Sequence, residues 1–268
     1  TVSRGRNLSL EKFWGERASM AAGLSDMTGV GQTIERAIVF GASGGIGMAL
    51  VGELLARGAR EVFAASRTQP ADLPEGAAWV PFHLDDEDSI AQAAQTAGAP
   101  LDCVIVASGV LSLPEAGPER SYKHVEREAM ARVFHLNTIG PALVAKHFLP
   151  LLPRDRRSIF VALSARVGSI SDNRIGGWHS YRASKAALNM LVRNYAIELG
   201  RTHGDAICVA LHPGTVDTAL SEPFQANLPD GQLTAPADAA SNLLNVLDGL
   251  DAQDSGALFD WKGERVEF

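Results

Sequence analysis

Between residues 36 and 261, short segments that are apolar at almost every position alternate with longer segments of helical pattern. RAIVFGAS (36–43), EVFAAS (61–66), WVPFHL (79–84), LDCVIVAS (101–108), SIFVALS (158–164), AICVALH (206–212) and ALFDW (257–261) show no inside–outside alternation. A strand without alternation is buried on both faces, and the helices between such strands are its covers. Helices are predicted over 45–59, closed by Gly58, over 86–98, over 126–152, from about Tyr181 to Leu199, and over 236–248. The long one should bend near Gly140–Pro141, because proline supplies no backbone N–H.

That order predicts an α/β fold, a single Rossmann-type doubly wound parallel sheet of about seven strands with helices on both faces. The domain is expected over residues 34–268. The first 33 residues, polar and dotted with glycine and serine, are expected to form a flexible N-terminal tail. A net charge of −7 and a pI near 5.5 supply no broad basic face, so nucleic acid is not expected as a partner. No apolar run approaches the ~20 residues of a membrane span. Cys103 and Cys208 each lie inside an apolar strand, which predicts buried, reduced thiols and a cytoplasmic setting. The acids of DDED at 85–88 stand at a helix start, where they complement the dipole; no metal site is expected.

GASGGIG (41–47) follows the first strand and opens the first helix, the context that turns a glycine cluster into a nucleotide site. Gly41 allows a tight turn, Gly45 lets backbone approach a diphosphate, and Gly47 permits close packing of helix on sheet. With Ser43, Gly44 and Ile46 they are the candidate cofactor loop. At the end of the second strand stand Ser66 and Arg67, with no acid to repel a ribose 2′-phosphate. NADP(H) is therefore expected in preference to NAD(H).

Tyr181 and Lys185 sit four residues apart near a helix start. The two side chains leave one face, roughly 5–6 Å apart at Cβ. A nearby ammonium favours the phenolate, and a phenol brought from ~10 towards neutrality, a change on the order of 4 kcal/mol, can trade protons with a substrate oxygen.

The G-x-x-x-G-x-G loop, the α/β rhythm and Tyr-x-x-x-Lys on a late helix together resemble the short-chain dehydrogenase/reductase family, and SARVGSISDNRIGGWHSYRASKAALNM resembles its C-factor-like branch. The resemblance implies an NADPH-dependent reductase of a carbonyl compound, or the reverse alcohol oxidation. Tyr181 would be the general acid or base, and Lys185 would lower its pKa and bind the nicotinamide ribose. It implies that Asn137 anchors a relay water, and that Ser108 and Gly109 end the fourth strand beside the cofactor. Pro213, Gly214, Val216 and Thr218 would meet the nicotinamide carboxamide. A serine should hold the substrate oxygen. The strand places it at Ser164, while counting back from Gly168 places Ala165 there. The resemblance further implies a homodimer or homotetramer through the two long helices. The pocket would be built from the 110–122 loop, the 169–180 insert, a lid over 219–235 and the C-terminus. A dinucleotide-binding regulatory or signalling protein with weak or no turnover is the alternative.

Overall fold

The computed structural model describes residues 34–222, 225 and 232–268. The expected tail, and residues 223–224 and 226–231 of the expected lid, lie outside them. β1 (Arg36–Phe40) runs through the glycine loop into α1 (Gly45–Ala56). β2 (Glu61–Ser66), β3 (Ala77–Pro81), α2 (Glu87–Ala97) and β4 (Cys103–Val106) follow. Then come α3 (Arg127–Phe134), a π turn (His135–Ile139), α4 (Gly140–Phe148), β5 (Ser158–Leu163) and α5 (His179–Leu199). β6 (Ala206–His212), the short β7 (Thr215–Val216) and β8 (Leu233–Thr234), α6 (Pro236–Gly249), β9 (Leu258–Asp260) and β10 (Arg265–Val266) complete the order.

The main sheet has eight strands in the order β10-β9-β6-β5-β4-β1-β2-β3. Seven are parallel, as expected, and β10 adds an antiparallel edge to β9. Two residues of β10 are too few to print a pattern in the sequence. Alternate residues of each strand feed separate cores. Ile38, Phe40, Val104 and Val106 pack with α2, α4 and α5 on one face. Ala37, Val39, Cys103 and Ile105 pack with α1 and α6 on the other. Both thiols are buried and free, and burial raises the pKa of each, that of Cys103 to about 12. Neither is poised to react.

The expected bend in the long helix is a π turn. Pro141 cannot donate to the residue 137 carbonyl, and just before it the Gly140 N–H bonds the His135 carbonyl, five residues back. The extra residue swings Asn137 fully inward. Because β1 pairs β2 on one side and β4 on the other, the loops after β1 and β4 part and leave a crevice at the C-terminal ends of the strands.

Candidate active site

Two contacts shape the glycine loop. Gly41 has φ +83°, and a Cβ there would lie 2.9 Å from the Ser108 amide nitrogen, so only glycine lets the loop rest against the end of β4. A Cβ on Gly47 would stand 2.2 Å from the Gly41 carbonyl oxygen, which ties α1 to the loop before it. No side chain caps α1 at Gly44, and its first turn holds no acid. By contrast, the Asp86 carboxylate caps α2, accepting from the Asp88 and Ser89 amides. An open helix N-terminus presents amide hydrogens and the positive dipole end to an anion.

A cavity of about 270 Å3 spreads from this loop, lined by Gly41, Ser43, Gly44, Ser66, Arg67, Ser108 and Gly109. Two features there await a ligand. The Ser108 hydroxyl oxygen is buried without a hydrogen-bond partner, and no ion pair holds Arg67 among the described residues. Both fit a dinucleotide. Ser66 fits less directly, since its hydroxyl donates to the Thr68 carbonyl at 2.8 Å. Asp85 also lines this cavity, an acid the sequence reading left out of the site. Arg132 donates to both its oxygens, at 2.5 and 2.8 Å, and holds its carboxyl below the usual range.

A second cavity, of about 360 Å3, opens on the other side of the loop. Ile46, Ser164, Ala165, Tyr181, Pro213, Gly214, Val216 and Thr218 line it. Gly45 brings the two regions together: a Cβ on it would be 2.9 Å from Thr218 Cγ2. Of the stretches expected to build a pocket, the 110–122 loop contributes Leu111, the insert Trp178, and the 219–235 stretch Leu220 and Ser221. His179 faces a different hollow.

Tyr181 and Lys185 do share one buried face of α5, 8% and 4% exposed. The Lys185 Nζ sits 5.9 Å from the Tyr181 ring centre and donates to the Leu163 carbonyl at 2.8 Å. Here one expectation is corrected. The phenol is not depressed; burial pushes it up to about 12, and burial pulls the Lys185 ammonium down to about 8. The cost of desolvating each group outweighs any attraction at that separation.

Asn137 is fully enclosed, and both ends of its amide are engaged. Its Oδ1 accepts from the Val110 N–H at 2.8 Å, and its Nδ2 donates to the Val110 carbonyl at 2.8 Å and to Ser184 Oγ at 3.0 Å. The asparagine thereby clamps the chain after Gly109 to α5. Ser164, 3% exposed, donates its hydroxyl proton to Asn189 Oδ1 at 2.7 Å. The Asn189 Nδ2 is buried with no partner. Two further residues escaped the sequence reading. His212 lines the second cavity, and burial lowers its imidazole to about 4, so it is neutral. Glu119 accepts hydrogen bonds from the Ser180 hydroxyl and amide and so caps α5 from 61 residues away. No local motif could have paired them.

A model of the short chain dehydrogenase family matches residues 35–229. The C-signal protein of Myxococcus xanthus is 38% identical over 167 residues, 62% of this chain and 92% of that protein. The 1-hydroxy-2-glutathionyl-2-methyl-3-butene dehydrogenase of Rhodococcus sp. (strain AD45) is 32% identical over 225 residues, 82% of this chain and 93% of the relative. Among solved structures, an NADPH-bound carbonyl reductase from chicken fatty liver superposes with a TM-score of 0.75 at 29% identity, over 88% of this chain and 99% of the other. The carbonyl reductase Sniffer of D. melanogaster gives 0.76 at 20% identity, over 88% and 100%, a likeness of fold. Among the described residues no helix is long and apolar enough to cross a membrane.

Proposed function

The chain belongs to the short-chain dehydrogenase family, an oxidoreductase family that binds nicotinamide dinucleotides, and lies on its C-factor-like side; from that premise we propose that it is an NADPH-dependent reductase of carbonyl compounds. The observation that carries the reading is the buried Tyr181–Lys185 pair in and behind the wall of a cavity that borders the glycine loop.

When bound, the dinucleotide would supply the hydride that, with one proton, converts C=O to CH–OH. The chain does the rest. The glycine loop and the α1 N-terminus would hold the diphosphate, and Arg67 would pair with the ribose 2′-phosphate. Ser108 and Gly109 border the adenosine side. Pro213 to Thr218 would meet the carboxamide, and Lys185, now on the Leu163 carbonyl, would bind the ribose hydroxyls. Tyr181 gives its proton to the substrate oxygen as negative charge develops there. A phenol near 12 is fully protonated at neutral pH, as a donor must be. The proton it loses is restored from the Lys185 ammonium and then from solvent.

Ser164 can assist only after Asn189 turns its amide over. Nδ2 then donates to Ser164 Oγ and leaves the serine proton for the substrate. The alternative, a dinucleotide-binding regulatory or signalling protein with weak turnover, draws on this same feature, since the serine proton is spent on Asn189 and Ala165 carries none. Copies of the chain would pair through α4 with the π turn before it, and through α5, where Ile139, Met190 and Ile197 are exposed. NADPH oxidation with a panel of aldehydes, ketones and quinones separates the two readings. Turnover that Tyr181→Phe abolishes supports the reductase; NADPH binding without Tyr181-dependent turnover on any of them supports the sensor.

A further inference from the structure

The chain enters α5 through an unusual backbone. Gly176, Gly177 and Trp178 have φ of +70°, +67° and +50°, three left-handed residues in succession. Glycine takes that conformation freely, whereas an L side chain is crowded against its own carbonyl. Among the described residues Trp178 alone, apart from glycines, has positive φ. A third glycine or an asparagine would fit this turn with less strain, so the turn by itself does not call for tryptophan.

The surroundings hold the strained residue firmly. The Trp178 N–H donates to the Glu119 carbonyl at 2.6 Å, and the Trp178 carbonyl accepts the Arg182 amide at 2.9 Å, the first bond of α5. The Arg182 Nε closes back on the Gly177 carbonyl at 3.2 Å. Glu119 secures the same corner through Ser180. Strain of this kind persists where surrounding contacts over-determine it, and it gathers at ligand clamps. Its result here is the position of the indole. The ring lines the cavity that contains Tyr181, edge-on to the phenol at 6.3 Å between centres and 61° between planes.

The facing walls are apolar too: Leu111, Val167, Val216 and Leu220. No carboxylate lines this cavity among its described residues, and its one guanidinium, Arg166, is bound to Asp172 at 3.0 Å. A substrate body entering here meets the indole of Trp178 and hydrocarbon, with Tyr181 and Ser164 in the same lining.

We propose that Trp178 is a specificity-determining residue of this pocket, held as a rigid flat wall, and that it selects carbonyl compounds carrying an uncharged aromatic or conjugated body. The inference rests on the reductase reading and deepens it. The test compares benzaldehyde with propanal under NADPH, in wild type and in Trp178→Ala, →Phe and →Gly. In parallel, the rise in melting temperature given by benzyl alcohol and by propanol is read with NADPH present, a measurement that needs no turnover.

The wild type should prefer the aromatic compound in both. Trp178→Ala should cut the ratio of kcat/KM values about tenfold, mostly through KM, and Trp178→Phe should restore most of it. Trp178→Gly keeps and relaxes the left-handed turn, so it should melt no lower than Trp178→Ala yet lose the preference equally. A Gly variant that keeps the wild-type ratio, or a wild type indifferent to the aromatic ring in both measurements, overturns the proposal. Trp178-dependent binding of benzyl alcohol without turnover of either aldehyde would support the pocket and reject the reductase. Tyr181-dependent turnover with a ratio unmoved in all three variants would do the reverse.

Discussion

Replacing Lys185 by methionine should stabilise the ligand-free protein while it destroys turnover. Lys185 is 4% exposed, and its folded pKa of about 8 stands below the ordinary 10.5 because burial penalises the charge. That difference is worth about 3 kcal/mol. Below about pH 8 the lysine is charged in both states, so the fold carries the whole penalty. Between about 8 and 10.5 the unfolded chain binds more protons than the native one, and wild-type stability therefore rises with pH. Methionine matches the stem of the side chain but gives up the 2.8 Å hydrogen bond to the Leu163 carbonyl, a loss of about 1 kcal/mol. The net gain at pH 7 is about 1–2 kcal/mol, or roughly 2–8 °C in Tm for a domain of this size. Calorimetric scans of both proteins from pH 7 to 10 provide the test. The advantage of Lys185→Met should shrink steadily above pH 8. Scans stop at 10 because Tyr181, raised to about 12, contributes stability that is lost as pH rises from its unfolded value to that one. A variant less stable at pH 7, or a gap that does not change with pH, would refute the claim that desolvation governs this lysine.

Two other perturbations probe the cofactor grip and the clamp behind it. Arg67→Ala should weaken NADPH by about 10–100-fold and NADH by no more than about twofold, read by fluorescence titration; equal losses would reject the 2′-phosphate assignment. Asn137→Ala removes three hydrogen bonds of a fully buried side chain and should cost about 2–4 kcal/mol. The matching fall in Tm is roughly 4–16 °C, and a variant melting within about 1 °C of wild type would mean that Val110 is held by something else.

The parts of this site that could be read in advance are the ones fixed by spacing along the chain. Strands apolar on both faces announced the sheet, because burial on both sides leaves no room for alternation. The step from a strand through GASGGIG into a helix announced the loop, and four residues on a helix put Tyr181 and Lys185 on one face. A bend near Gly140–Pro141 was expected too, and the π turn found there follows from Pro141. The pKa of Tyr181 ran the other way from expectation, because a phenol responds to how much water its neighbours exclude, a quantity that a spacing of four residues does not contain.

The sequence alone determined the parallel α/β architecture, the glycine loop between β1 and α1 and the placing of Tyr181 and Lys185 on one helix face, since each depends on a repeat or an offset of a few residues. Only tertiary structure decided that Ser164 spends its proton on Asn189, that Glu119 caps a helix sixty-one residues away, and that Trp178 is bent into a left-handed turn beside Tyr181. Such contacts join residues distant in the chain, and their energies come from burial and orientation, which exist only once the sheet has brought the loops together.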